Sequence, residues 1–127
     1  MSNLTSAEIV ENARAAIEHI SVHEVSERLD DPGYVVVDVR DSAELASGVI
    51  PGSVHSHRGG LEFALDPTSP MCDERLTSGA TLIMVCGSGG RAALATKLAL
   101  DYGLPASCME GGMKAWRASD LELHGKG

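Results

Sequence analysis

The fold is decided by one stretch of the chain, TLIMVCGSGGR, at residues 81–91. Its first part, Thr81 to Cys86, is a mostly apolar run that predicts a buried strand of a parallel sheet. A loop of small residues comes next, and the apolar residues between Arg91 and Leu100 recur at helical intervals and predict a helix. A strand, a tight loop and a helix in this order are typical of α/β sheets, which place their sites where such strands end.

Strands and helices alternate along the rest of the chain. Further strands are predicted at 34–38, 53–55 and 106–109. Helices are predicted at 5–19, 21–30, 40–47, 61–65, 72–77 and from 111 onward, and the first two begin with capping-box patterns. The alternation predicts an α/β fold with a central, mostly parallel sheet and helices on both faces.

The composition is that of a folded domain. The 127 residues suit one domain, and the hydrophobic content of 43% and charged content of 22% are ordinary. We expect an N-terminal helical extension at 1–17, one domain at 18–118 and a loose C-terminal tail at 119–127.

Charge and cysteine count argue against several classes of protein. The formal net charge of −8 argues against nonspecific binding to nucleic acid or anionic lipid. No apolar run approaches the ~18 residues of a membrane helix, and no secretory signal pattern opens the chain. The three cysteines, Cys72, Cys86 and Cys108, are an odd number. We therefore expect a cytoplasmic protein without a disulfide framework.

Cys86 is the candidate nucleophile because of the loop that it opens. Gly87, Ser88, Gly89 and Gly90 are small, and glycines let successive backbone N–H groups turn inward to form an anion-binding nest. The next helix adds the positive end of its dipole. A thiolate is stabilised there, and so is the anionic persulfide it would form on receiving sulfur. The alternative is a buried structural cysteine before an ordinary turn.

Four motifs in order resemble those of a known family. They are Asp38-Val39-Arg40 with Glu44, Ile50-Pro51-Gly52-Ser53, the loop from Cys86 to Arg91, and Gly111-Gly112-Met113-Lys114-Ala115-Trp116. Over about residues 18–118 the sequence resembles the rhodanese-like sulfurtransferases in their single-domain form. The match is specific because all four motifs occur in the family's order.

The resemblance implies a two-step sulfur transfer with no metal and no cofactor. Cys86 attacks the sulfane sulfur of a donor such as thiosulfate, and sulfite leaves. An acceptor (cyanide, a small thiol or a protein thiol) then takes the sulfur from the Cys86 persulfide, so ping-pong kinetics are expected. The main-chain N–H groups of residues 87–91 would stabilise the thiolate and the persulfide.

The sequence departs from the family pattern near the loop. Gly48 stands where many relatives have a histidine, and Gly87 stands where the loop often has an arginine. A less basic loop should bind thiosulfate less tightly. His57 and Arg58 are candidates to line the site, because the segment 55–70 resembles a longer variant of the family. Arg58 and Arg91 are the predicted sources of the missing positive charge. The alternative for Arg91 is that it ties the loop to an acidic residue instead of facing an anionic substrate.

The remaining candidates have mainly structural interpretations. We predict that Asp38 accepts hydrogen bonds beside the loop and that Arg40 pairs with Glu44; the alternative is a structural ion pair at the end of the strand that Asp38 and Arg40 follow. His55 and His57 are too few to indicate zinc, which takes three or four protein ligands. Three further residues are placed by their surroundings: Cys108 in the core, Cys72 exposed, and Trp116 packed between its helix and the sheet.

Other functions remain open. A cysteine phosphatase or arsenate reductase needs five residues between cysteine and arginine to enclose an oxyanion, and this loop has four. A protein-to-protein persulfide carrier would use the same chemistry as a thiosulfate sulfurtransferase. A non-catalytic regulatory module is a further alternative, although inactive relatives usually lack the loop cysteine.

Overall fold

A computed structural model describes residues 4–125. Its strands are β1 (His19–Ile20), β2 (Tyr34–Asp38), β3 (Val54–His55), β4 (Thr81–Val85) and β5 (Ala106–Met109). Its α-helices are α1 (Ser6–Ala15), α2 (Val22–Glu27), α3 (Leu61–Ala64), α4 (Gly90–Asp101) and α5 (Gly112–Ala118). Three 3₁₀ helices span Ser42–Ser47, Arg58–Gly60 and Glu74–Leu76. None of the helices within residues 4–125 is long and apolar enough to span a bilayer.

The described strands form one parallel sheet in the order β1-β5-β4-β2-β3. β4 lies at its centre and pairs with β2 and β5, with Val37 opposite Met84 on the β2 side. Because the strands are parallel, their carboxyl ends share one edge, where Asp38 ends β2 and Cys86 comes directly after β4. The predicted α/β fold is confirmed.

Alternation along β4 divides the core into two layers. Leu82, Met84 and Cys86 face the layer formed with α1, α3 and α4. Ile83 and Val85 face the other layer, formed with α2 and α5. All five side chains are fully buried, which explains why the strand is apolar on both faces. The side chain of Cys86 therefore points toward α4, the helix at the end of its own loop.

The first helix is shorter than predicted. α1 ends at Ala15, and His19, which was expected at the end of the helix, begins β1 instead. The N–H of Cys108 donates to the main-chain carbonyl of Glu18 at 3.0 Å, so pairing with β5 satisfies this backbone. The helix is also part of the core, because Ala13 is only 5% exposed and packs in the layer of α4.

The segment after α5 is attached, and the expectation of a loose tail is wrong for residues 119–125. Val49 and His124 exchange two main-chain hydrogen bonds of 2.8 Å. Leu121 and Leu123 pack against the buried cluster that contains Trp116. The prediction for residues 126–127 lies outside the described part of the chain.

Candidate active site

The sulfur of Cys86 lies in a nest of main-chain donors. Its Sγ accepts hydrogen bonds from the N–H of Gly89 at 3.0 Å and from the N–H of Ala92 at 3.3 Å. Gly89 has a φ of +122°, a conformation that glycine adopts far more readily than other residues and that turns its N–H toward the sulfur. The side chain of Cys86 is fully buried. A negative charge on the sulfur would therefore face two donors rather than water.

The start of α5 holds the outer side of this loop. The N–H of Met113 donates to the carbonyl of Cys86 at 2.8 Å, and the N–H of Lys114 donates to the carbonyl of Gly87 at 3.0 Å. A Cβ at Gly112 would lie 2.5 Å from both carbonyl oxygens. Only glycine permits this approach, which accounts for the second glycine of the Gly111-Gly112 motif.

Arg91 is paired with an acidic residue from a distant part of the chain. Its Nη1 lies 2.7 Å from Glu44 Oε2, and its Nη2 lies 3.0 Å from Glu44 Oε1. The hydrogen bonds from Arg91 are the main reason that the pKa of Glu44 falls from its ordinary 4.5 to about 2. A Cβ at Gly87 would lie 3.2 Å from Arg91 Nη2, so the guanidinium lies beside the loop. Of the two predicted roles for Arg91, the geometry favours the acidic partner.

The predicted side-chain pair between Arg40 and Glu44 is wrong, and the structure has the alternative, an ion pair at the end of the strand. Arg40 pairs instead with Asp38, with Nε 2.9 Å from Oδ1 and Nη2 2.7 Å from Oδ2. Its remaining donors reach the main-chain carbonyls of Glu44 at 3.2 Å and Gly48 at 3.0 Å. Both members of the pair are 2% exposed. Arg40 therefore ties the end of β2 to the segment that carries Glu44, and Glu44 is free to hold Arg91.

His57 and Arg58 make their polar contacts away from the loop. Arg58 Nη1 lies 3.0 Å from Glu62 Oε1, so the positive charge predicted to serve the site is balanced. The ring of His57 lies against Gly59 and Gly60 and lines a cavity of about 250 Å³. Among the described residues, neither side chain hydrogen-bonds to the loop of Cys86. Their predicted role as substrate-lining residues stays a prediction.

The other two cysteines differ from Cys86. Cys108 is buried as predicted, and burial is the main reason that its pKa rises to about 11. Cys72 is half-buried rather than exposed, with its Sγ 4.0 Å from Thr77 Oγ1.

Trp116 is fully buried between α5 and the sheet, as predicted. Within residues 4–125 no group of three or more His, Cys, Asp or Glu residues could hold a metal ion.

Two site neighbours were missed because they lie on α1. A Cβ at Gly89 would lie 3.5 Å from Arg14 Nη1, and one at Gly90 would lie 3.8 Å from Val10 Cγ2. The helical spacing of Val10 and Ala13 was visible in the sequence. Spacing shows that a helix has an inner face, but not which loop that face covers.

Cys86 and its nest of donors lie at the carboxyl edge of a parallel α/β sheet, and Arg91 follows after four intervening residues. This combination defines a rhodanese type of domain. This chain belongs to the Rhodanese-like domain family, whose model matches residues 21–119. Among curated proteins it is 31% identical over 101 residues to "Putative sulfurtransferase YtwF" of Bacillus subtilis (strain 168), across 79% of this chain and 90% of that protein.

Two solved structures are similar to this chain over most of its length. A protein of unknown function from Rhodopseudomonas palustris CGA009, described as a possible tyrosine phosphatase, matches with a TM-score of 0.91 at 32% identity. That match covers 98% of this chain and 97% of the other, and so includes α1. A thiosulfate sulfurtransferase from Pseudomonas aeruginosa matches with a TM-score of 0.70 at 29% identity, over 86% of this chain and 19% of that longer one.

Proposed function

We propose that this protein is a sulfurtransferase that moves a sulfane sulfur from thiosulfate or another donor to a thiophilic acceptor through a persulfide on Cys86. The observation that carries the proposal is the pair of main-chain N–H groups, from Gly89 and Ala92, directed at Sγ. The family and the description of the Bacillus subtilis relative support a transferase of this kind. The proposed setting is the cytoplasm, where the three unpaired cysteines would stay reduced.

The first half-reaction loads the cysteine. The thiolate of Cys86 attacks the outer sulfur of thiosulfate, a new S–S bond forms, and the bond between the two thiosulfate sulfurs breaks with its electron pair leaving on sulfite. The product is an anionic persulfide, and the total charge is unchanged. The loop of Gly87, Ser88, Gly89 and Gly90 would hold that charge with backbone donors, which need no reorganisation during the reaction.

The second half-reaction unloads the cysteine. A thiophilic acceptor (cyanide, a small thiol or a protein thiol) attacks the outer sulfur of the persulfide, and the electron pair of the broken S–S bond returns to Cys86 as thiolate. Because each half-reaction ends before the next substrate reacts, initial-rate plots should show ping-pong kinetics. In this scheme two ion pairs support the loop: Arg91 with Glu44, and Asp38 with Arg40.

Mass spectrometry after thiosulfate treatment tests the proposal. We expect Cys86 to gain the mass of one sulfur atom and to lose it when cyanide is added. Cys86→Ser should abolish both the gain and the turnover, while the matched control Cys108→Ser should leave the gain at Cys86 in place. Sulfur carried by Cys72 or Cys108 instead, or full turnover by Cys86→Ser, would contradict the proposal.

A phosphatase is the second candidate, because the Rhodopseudomonas palustris relative is described as a possible tyrosine phosphatase. The loop argues against it, since four residues separate Cys86 from Arg91 and five are expected in a loop that encloses phosphate. Arg91 is also held by Glu44 rather than directed over the sulfur. Hydrolysis of a small aryl phosphate that is lost in Cys86→Ser would favour the phosphatase. Inert aryl phosphate together with a loaded persulfide would favour the sulfurtransferase.

A further inference from the structure

The three arginines that the sequence singles out as site or supporting residues are each paired with a carboxylate. Arg91 pairs with Glu44, Arg40 pairs with Asp38, and Arg58 pairs with Glu62. The chain as a whole carries a formal charge of −8. A small anionic donor would therefore be repelled by the molecule at long range unless an unpaired cation near the nest opposes that field.

Arg14 occupies the position that this argument requires. It lies in the last turn of α1, and its Nη1 lies 3.5 Å from where a Cβ of Gly89 would stand. Gly89 is the residue whose N–H donates to Cys86 Sγ. Arg14 is half-buried, and no ion pair or side-chain hydrogen bond of its guanidinium is present among residues 4–125.

The packing of α1 fixes this placement. Ala13 is buried against the layer of α4, and Val10 lies against Gly90. The main-chain carbonyl of Arg14 also lies 3.0 Å from His19 Nε2, which ties the end of the helix to the start of β1. The guanidinium is therefore carried by a docked helix and not by a free end of the chain.

We propose that Arg14 is the residue that recognises the anionic end of the sulfur donor. The inference rests on the proposed function and names its donor class: a sulfane sulfur attached to an oxyanion group, as in thiosulfate. Arg14 would bind the oxygen atoms of the departing sulfonate group while the sulfur attached to it reacts with Cys86. A guanidinium suits this task because its planar fork of N–H donors can hydrogen-bond to two oxygens of one oxyanion group at once. The helix α1, which lies outside the matched family model, would thus supply the charge that Gly87 does not.

The kinetic test compares three variants. Arg14→Gln should lower kcat/KM for thiosulfate by about tenfold, the effect of losing one nearby charge. Arg14→Lys keeps the charge and should recover most of that loss. Lys97→Gln removes the same charge from the far end of α4, where Lys97 pairs with Asp101, and should change little.

A second measurement separates this inference from the sulfur chemistry. Iodoacetate is anionic and iodoacetamide is neutral, and both alkylate a thiolate whether or not the protein transfers sulfur. We expect the rate of alkylation of Cys86 by iodoacetate, divided by the rate with iodoacetamide, to fall several-fold in Arg14→Gln and to stay unchanged in Lys97→Gln. Peptide mass spectrometry measures both rates. The difference in this ratio between the original protein and Arg14→Gln should shrink as salt rises, because salt screens the charge of Arg14.

The two measurements have distinct outcomes. If thiosulfate does not load Cys86 but the alkylation ratio depends on Arg14, the proposed function fails while the anion site stands. If circular dichroism shows that Arg14→Gln is folded, and neither kcat/KM nor the ratio of alkylation rates changes, the inference about Arg14 is overturned. A Cys86 that reacts with neither reagent would also overturn it, because no anion would then reach the loop.

Discussion

Gly112 has the tightest surroundings of the glycines near the site. Its φ is +61°, and an added Cβ would lie 2.5 Å from the carbonyl oxygens of Cys86 and Gly87. We expect Gly112→Ala to move α5 away from the loop, to weaken the hydrogen bonds from Met113 and Lys114, and to lower turnover. The backbone strain should cost about 1–3 kcal/mol, and the displacement of α5 adds to it. The free energy of unfolding measured with urea should therefore fall.

The control for that substitution is Gly52→Ala. Gly52 has a similar φ of +78°, but nothing lies within 4 Å of its added Cβ. It should cost the backbone strain alone and leave turnover unchanged. Equal losses of stability and activity in the two variants would show that the close approach at Gly112 has no effect of its own.

Arg40 offers a test of the buried ion pair. Arg40→Met leaves the carboxylate of Asp38 buried and unpaired, which should cost about 3–5 kcal/mol in the free energy of unfolding. The double variant Asp38→Asn with Arg40→Met removes the stranded charge and should be more stable than the single variant. A double variant that is less stable than Arg40→Met would contradict the assignment of the pair.

Glu44 gives a pH dependence whose sign is set by its pKa. Since the pKa falls from 4.5 unfolded to about 2 folded, the ionised pair with Arg91 stabilises the fold above about pH 4.5. That stability is lost as the pH falls toward 2. The pair is about one-third exposed, so Glu44→Gln should cost only about 1 kcal/mol at pH 7.

Urea unfolding between pH 2 and pH 7 measures this dependence. The gap in stability between the original protein and Glu44→Gln should shrink below pH 4.5 and close near pH 2. Asp101→Asn, which breaks the exposed pair with Lys97, is the control and should cost less at pH 7. A gap that does not change with pH would show that Glu44 acts through packing and not through its charge.

These residues also show how far the sequence reaches. The nest at Cys86 was predictable because strand, glycines and helix are contiguous, and local geometry then directs the N–H groups. The partners of Arg91 and Arg40 were not, because Glu44 is 47 positions from Arg91 and either arginine could be matched with it by charge alone. Choosing between Asp38 and Glu44 requires knowing which strand ends are neighbours in space.

At the scale of elements, the long apolar runs were predicted correctly and the short strand β1 was not. β4 was evident from its composition, since both of its faces are buried. β1 has two residues, which is too few to show a period of two, and Ile17 and Ile20 fit a helix as well as a strand. Only its pairing with β5, which is distant in sequence, makes that segment a strand.

The docking of α1 on α4 can be tested with one buried alanine. Ala13→Asp puts a charge into the core layer and should detach α1, because an unpaired buried charge is costly. We expect faster amide hydrogen exchange in residues 6–15 and faster alkylation of Cys86 by iodoacetamide, since the helix no longer covers Gly89 and Gly90.

The matched control is Ala7→Asp, the same substitution at an exposed position of the same helix. It should leave exchange and alkylation close to those of the original protein. If Ala13→Asp were well folded and Cys86 reacted no faster, α1 would not control access to the loop, whatever the role of Arg14.

At the scale of the whole molecule, the last described residues complete the second core layer. Trp116 Nε1 donates to the main-chain carbonyl of Glu122 at 2.9 Å, and Leu121 and Leu123 pack against the cluster around it. The sequence could not show this, because the two leucines lie beyond the end of α5 without a period of their own.

Removing residues 121–127 therefore tests whether the tail belongs to the domain. We expect the emission of Trp116, which is the single tryptophan of the chain, to shift to longer wavelength as the indole becomes wet. Burial of each leucine, even when partial, contributes on the order of 1 kcal/mol, so the midpoint of urea unfolding should fall. The pair Leu121→Ser and Leu123→Ser in the full-length chain should reproduce both effects, while His124→Ser, at an exposed side chain, should not. A truncated protein with unchanged emission and midpoint would place the boundary of the folded unit before residue 121. It would also show that the contacts of the tail do not contribute to the free energy of unfolding.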